Sequence, residues 1–204
     1  MRVFLYRHAA TPGNTDKKYI GVTDEPLSAS GENLARAIGP DLSVQTVYTS
    51  MLARTQETAR ILFPSARLIA LPAFNEMDFG KFEGKSFSDL SNNASYQAWI
   101  DSRCISACPG GESRDDLSRR ACPAFETLIS NAVDCRDLVI VTHGGVIMAL
   151  MHCYARATAS YFDWHVGPLG GYSICLDQNT WPSTRRFESY QAFKKGVIPP
   201  CLRS

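Results

Sequence analysis

Two histidines close short apolar runs, His8 at the end of VFLYRH and His143 at the end of LVIVTH. A neutral imidazole is a competent nucleophile near pH 7 and can carry a transferred phosphoryl group until water removes it. Arg7 stands beside His8. Its guanidinium offers a fork of donors for phosphate oxygens, and its fixed charge disfavours protonation of the neighbouring ring. Gly144 and Gly145 follow His143, and a glycine lets an anion approach the backbone N–H groups where a helix begins. These residue types together describe a nucleophile beside an anion clamp, with a charged His143 as a further positive donor.

Phosphoryl transfer needs alignment and neutralisation of the phosphoryl oxygens more than it needs covalent chemistry from the protein. Arg54 falls in the first turn of an expected helix that follows a strand, a position from which a guanidinium reaches the sheet edge. The departing alkoxide also needs a proton. Glu76, in NEMDFGKFEG, is the candidate acid, with Asp78 and Glu83 as local alternatives. Each residue alone has a plainer structural reading: a hydrogen-bonded histidine, a surface ion pair, a solvated carboxylate, a turn. The combination favours chemistry.

The elements that must position these groups follow from hydrophobic pattern. Residues 3–6 and 138–141 are apolar, β-branched and aromatic, as buried strands are, and ligands in open α/β sheets collect beyond such strand ends. If the two strands are neighbours, His8 and His143 meet although they are remote in sequence. Leu27, Gly31, Leu34, Ala35 and Ile38 recur at helical spacing until Gly39 and Pro40. A strand over residues 45–49 leads to Ser50 as cap of a helix running to about Phe63, and a third strand covers residues 66–70. Residues 72–112 read as irregular or weakly helical, an excursion able to form a lid. Ser113 and Asp116 resemble a capping box before a helix through Leu117, Ala121, Phe125, Leu128 and Ala132. An apolar helix opens at Gly144, and late strands are expected over residues 172–176 and 185–188. The alternation of strand and helix predicts an α/β fold.

The chain has 204 residues and 22.5 kDa, enough for one domain spanning residues 1–204 with a substantial core. Twenty-one Lys and Arg nearly balance twenty Asp and Glu, so neither nucleic acid nor a membrane surface is an expected partner. The chain enters a strand at once, with no signal-peptide core and no apolar stretch able to span a bilayer, which predicts a cytoplasmic protein. Seven cysteines at irregular spacing read as reduced thiols. Cys104 and Cys108 lack a second ligand pair, so no metal is expected. His152 and His165 read as helix-face or loop residues, and Phe74, Phe79, Phe82 and Phe87 more readily as loop anchors than as a pocket wall.

RHAAT with Asn14, DEPLSASG, YTSMLARTQETA, NEMDFGKFEG, GGES and VTHGG, in that order across nearly the whole chain, resemble the histidine phosphatase superfamily of phosphoglycerate mutase-like phosphatases and mutases. The resemblance implies a three-layer α/β/α sandwich with a mostly parallel central sheet. It implies that His8 becomes phosphohistidine, that Arg7, Arg54 and His143 hold the phosphoryl group, and that Glu76 acts as acid and then base. Asn14 and the Gly144 amide would add hydrogen bonds, and Gly21 matches a position lining the same pocket. Ala9 and Ala10 stand where the family usually has Gly and often Glu or Gln. Alanine at position 9 is strained only if its φ is positive.

The short middle region argues against a phosphoglycerate mutase, and SYQAWI with YFDWHVGPLGGYSICLD is similar to the α-ribazole phosphatases. The expected function is therefore phosphomonoester hydrolysis of a small phosphorylated metabolite such as α-ribazole phosphate, without cofactor. A phosphoglycerate-type mutase and a non-catalytic phospholigand-binding protein are the alternatives. The sequence leaves oligomeric state open, a homodimer included.

Overall fold

The computed structural model describes residues 1–132, 136–156 and 158–194. Its centre is two strands whose side chains alternate between two apolar clusters, as a strand buried on both faces requires. In β1 (Arg2–Arg7) Val3 and Leu5 enter one cluster and Phe4 and Tyr6 the other. In β4 (Asp137–Thr142) Leu138 and Ile140 join the first cluster, Val139 and Val141 the second. The strands pair in parallel with Arg7 opposite Thr142, and the His8 amide extends the ladder by donating to Thr142 O at 2.9 Å. His8 and His143 therefore leave the sheet at one edge.

Four further strands complete the sheet: β2 (Thr46–Thr49), β3 (Arg67–Ala70), β5 (Gly171–Cys175) and β6 (Ser189–Phe193). The order is β3-β2-β4-β1-β5-β6. The first four run parallel, while β5 is antiparallel to β1 and β6 to β5. Helices α2 (Ala29–Ile38) and α3 (Ala53–Leu62) supply Ala35, Ala59 and Leu62 to one cluster. Helices α6 (Arg114–Asn131) and α7 (Gly144–Tyr154) supply Leu117, Phe125, Ile147 and Leu150 to the other. Helices on both faces of a mostly parallel sheet are the expected three layers. The capping box of α6 forms, with Ser113 Oγ accepting from the Asp116 amide at 3.1 Å and Asp116 Oδ2 from the Ser113 amide at 3.0 Å.

Two sequence expectations need correction. Helix α3 is capped at Leu52, not at Ser50; the Ser50 hydroxyl accepts from the Leu52 amide at 3.1 Å, ahead of the first turn, and also faces His143. The last strand lies at Ser189–Phe193 and not over residues 185–188. After the short helix α8 (Trp181–Thr184), Phe187 buries its ring against Trp181 with centroids 5.9 Å apart, and its amide donates to Tyr154 O at 2.9 Å. That segment is thus spent on the end of α7 before the chain reaches the sheet.

Residues 72–112 are irregular to weakly helical, as the sequence predicts, and pack against the core. They hold 3-10 turns at Pro72–Phe74 and Gly80–Phe82 and helices α4 (Phe87–Leu90) and α5 (Ala94–Asp101). Phe74, Phe82, Tyr96 and Trp99 are buried, whereas Phe87 is exposed. No helix among the described residues is long and apolar enough to cross a membrane.

Candidate active site

His8 is buried, and its Nδ1 lies 2.7 Å from Ala9 O. A carbonyl oxygen only accepts, so the neutral ring carries its proton on Nδ1 and leaves Nε2 with a free lone pair. Burial, with the charges of Arg7 and Arg54, pushes His8 well below the ordinary imidazole value. The ring is thereby kept neutral, as a nucleophile must be.

The His143 ring faces that of His8 edge-on, with centroids 5.1 Å apart and planes at 64°. Arg54 Nε donates to His143 Nδ1 at 3.3 Å, so Nε2 bears the proton and donates to Ser50 Oγ at 2.8 Å. Burial, then Arg54, then His8 and Arg7, push His143 well below its ordinary value. Burial and the neighbouring Arg54, His8, Arg7 and Arg120 thus oppose the charge expected on this ring. Ser50, read from sequence as a helix cap, is instead the group that fixes the ring.

Arg54 is almost fully buried. Its Nη1 donates to Thr23 O at 2.8 Å and its Nη2 to Gly21 O at 2.8 Å. The loop making those carbonyls available is held by Glu83, which accepts from the Gly21 and Val22 amides and the Thr23 hydroxyl at 2.8 to 3.1 Å. Gly21 is required by close packing, since a Cβ there would meet Met77 O at 1.9 Å. Its part in the site is its carbonyl on Arg54; it is absent from the wall of the adjoining cavity. Sequence reasoning missed Glu83 as a loop-holding group and kept it as a rival acid.

Glu76 lies across the sheet edge. Its Oε2 accepts from the Gly145 amide at 3.0 Å, and its Oε1 from the Met77 amide at 2.9 Å. The segment carrying it is fixed by Arg120, which donates to Ala73, Asn75 and Glu76 carbonyls and pairs with both oxygens of Glu112. That pairing gives the GGES segment its role. Burial lowers Arg7 and Arg54 from the ordinary arginine value, and the Glu76 carboxylate pulls both back up. The Arg7 guanidinium lies 3.5 Å from where a Gly144 Cβ would stand, and its Nη1 donates to Val166 O at 2.7 Å.

A cavity of about 500 Å³ opens beside these groups. Arg7, Asn14, Glu76 and Gly144 are in its wall; His8, Arg54 and His143 lie behind it, and Asp78 and Glu83 are also outside it. Tyr19, Phe79, Trp99, Met148 and Phe162 make much of the rest, so of the four phenylalanines weighed from sequence only Phe79 faces the cavity. His165 was read as an ordinary loop residue, yet it lines the cavity with Nε2 3.3 Å from Arg7 Nη1. No local signal marks it, because its place depends on the fold bringing residue 165 to residue 7. Arg114 also lines the cavity, its guanidinium 3.9 Å over the Tyr161 ring.

Ala9 is fully buried, and it is not among the described non-glycine residues with positive φ. Alanine therefore sits there without backbone strain. Its amide donates to Thr58 Oγ1 at 2.9 Å, so the replacement leaves the turn beside His8 intact.

Two buried neutral histidines link stability to pH. Unfolded imidazoles titrate near 6.5, whereas the folded values lie below it. Between those values the unfolded chain binds more protons, so stability present above about pH 6.5 is lost as the pH falls. The urea midpoint should drop between about pH 7.5 and 5.5, and more steeply in wild type than in His143→Gln. Equal slopes would remove His143 from this linkage.

Known proteins resemble this chain in sequence and fold. The chain is 31% identical over 201 residues to the adenosylcobalamin/alpha-ribazole phosphatase of Salmonella typhimurium, covering 95% of each. It is 30% identical over 153 residues to the probable phosphoglycerate mutase GpmB of Enterobacter sp. (strain 638), covering 71% of this chain and 70% of that one. The crystal structure of the alpha-ribazole phosphatase from Shigella flexneri matches with a TM-score of 0.80 at 25% identity, over 98% of both chains. The family pattern itself matches residues 3–188, from the strand that delivers His8 to the segment before the last strand, and the chain belongs to the histidine phosphatase superfamily (branch 1).

Proposed function

We propose that the protein hydrolyses phosphomonoesters in two steps through a phosphohistidine at His8. The phosphoryl group sits between His8 and His143 with its oxygens neutralised by Arg7 and Arg54, and Asn14 and the Gly144 amide add hydrogen bonds. The His8 Nε2 lone pair attacks phosphorus, the P–O bond to the alcohol breaks, and Glu76 gives its proton to the departing oxygen. Water then attacks the phosphohistidine while the Glu76 carboxylate takes its proton; inorganic phosphate leaves and His8 returns neutral. A dianion beside His143 favours its imidazolium form, and as Nδ1 takes up that proton the Arg54 Nε–H now donating to it turns to the phosphoryl oxygens. The fixed charges are side chains of the protein, and no step calls for a metal.

The observation that carries this reading is the His8 tautomer, with Nδ1 tied to Ala9 O at 2.7 Å and Nε2 left free beside two guanidiniums. The substrate reading is a small phosphorylated metabolite whose alcohol carries a bulky aromatic group, α-ribazole phosphate being the example. It rests on the aromatic and thioether lining of the cavity and on the names of the relatives. The balanced charge of 21 basic and 20 acidic residues supports an enzyme without nucleic-acid or membrane-surface partners, and a cytoplasmic location is part of the same proposal.

Rapid mixing with p-nitrophenyl phosphate and an alkaline quench should leave a phosphoryl group on the peptide containing His8. Continued turnover with no phosphohistidine would sink the covalent route. α-Ribazole 5'-phosphate should show the higher kcat/KM in competition with 3-phosphoglycerate, and only hydrolysis products should form. A preference for phosphoglycerate with isomerised product would favour the mutase.

A further inference from the structure

Cys122 and Cys153 take no part in the chemistry above, yet their Sγ atoms are 3.1 Å apart. Cys122 lies on α6 and Cys153 in the last turn of α7, two helices that pack on the same face of the sheet. A disulfide needs about 2.05 Å between sulfurs, so closing the gap takes only about 1 Å of side-chain or helix movement. Both residues are partly exposed rather than enclosed, which lets a small reagent reach them.

The surroundings separate this pair from other cysteines. The Cys122 S–H donates to Cys153 Sγ, and that hydrogen bond, helped by the charge of Arg186, brings Cys153 down to about 7 against burial and the carboxylates of Glu126 and Asp115. The same contact raises Cys122, the proton donor. Burial pushes Cys104 up to about 11 and Cys108 up to about 12, which keeps both as thiols near neutral pH. A thiolate is the species that attacks a disulfide. Cys153 is thus the attacking sulfur and Cys122 the resolving one.

We propose that Cys122 and Cys153 form a reversible intramolecular disulfide, a modification site between α6 and α7 whose oxidant is a small-molecule disulfide of the glutathione type. The Cys153 thiolate attacks one sulfur of the reagent; its S–S bond breaks, and the expelled thiolate takes a proton from water. Cys122 then gives up its proton, its sulfur attacks Cys153 Sγ in the mixed disulfide, and the second small thiol leaves. Two protein thiols are oxidised and one small disulfide is reduced to two thiols. The bond ties the helix carrying Arg120, which holds the Glu76 segment, to the helix that opens at Gly144 and Gly145.

The test is to incubate the folded full chain with oxidised glutathione, alkylate the remaining thiols and map the peptides. The expected product joins Cys122 to Cys153 and leaves five of the seven cysteines alkylated. Cys122→Ser should stop at a mixed disulfide on Cys153, and Cys153→Ser should give neither product. The oxidised wild type should melt at least about 3 °C higher than the reduced form and revert with dithiothreitol. A major product through other cysteines, equal glutathione uptake by wild type and Cys153→Ser, or an unchanged melting temperature would each overturn the proposal.

Discussion

His8→Ala is expected to lower hydrolysis of p-nitrophenyl phosphate by at least about a thousandfold, with wild-type turnover unaffected by a metal chelator. The expectation follows from the geometry of the alternatives. The other imidazole in the site, His143, has both nitrogens engaged, Nδ1 by Arg54 and Nε2 by Ser50, so it has no free lone pair to accept phosphorus. Water attacking the ester directly would retain the arginine clamp but lose the covalent intermediate, and residual clamp catalysis accounts for the remaining activity. The variant leaves Ala9 O without its buried donor, which costs about 1–3 kcal/mol. Thermal melting must therefore show a folded protein before the rates are compared. Turnover equal to wild type in that folded variant would end the case for His8 as nucleophile, and chelator-sensitive turnover would end the case for side-chain cations alone.

Glu76→Gln should discriminate between leaving groups. As general acid, Glu76 matters in proportion to how badly the departing oxygen needs a proton. An alkyl phosphate, whose alkoxide is strongly basic, should lose about 100- to 10,000-fold in kcat/KM. p-Nitrophenyl phosphate, whose phenolate leaves unaided, should lose far less in the same parameter, because kcat/KM reports steps through formation of the phosphohistidine. Its kcat should still fall where water attack limits turnover, since the carboxylate has also been removed as base. Glutamine keeps one acceptor oxygen but sets an NH2 against the other backbone amide, so either Gly145 or Met77 loses its partner, and thermal melting must show a folded variant before the rates are compared. An equal loss in kcat/KM for both esters would assign Glu76 a positioning role only.

The fold was largely legible because its signals are local. The alternation in β1 and β4, the capping box at Ser113 and Asp116, and the glycines opening α7 are written in consecutive residues, and each formed as expected. The last strand lies beyond residues 185–188 because that segment holds a single apolar residue, Phe187, whose ring packs on Trp181 rather than in the sheet. Around the site, residue types and spacing point to His8, Arg7, Arg54, Glu76 and Gly144 as candidates, and the family resemblance adds Asn14. They could not identify Ser50 as the partner of His143, Glu83 as the holder of the Gly21 loop, or His165 beside Arg7.

By itself the sequence determined which residue types stand at strand ends and helix starts, since propensity, capping and hydrophobic period depend on near neighbours. Tertiary structure alone decided that β1 and β4 are adjacent, that the two rings come within 5.1 Å, and that both histidines rest neutral. Protonation depends on desolvation and on charges contributed by residues remote in the chain, and those quantities exist only once the chain has folded.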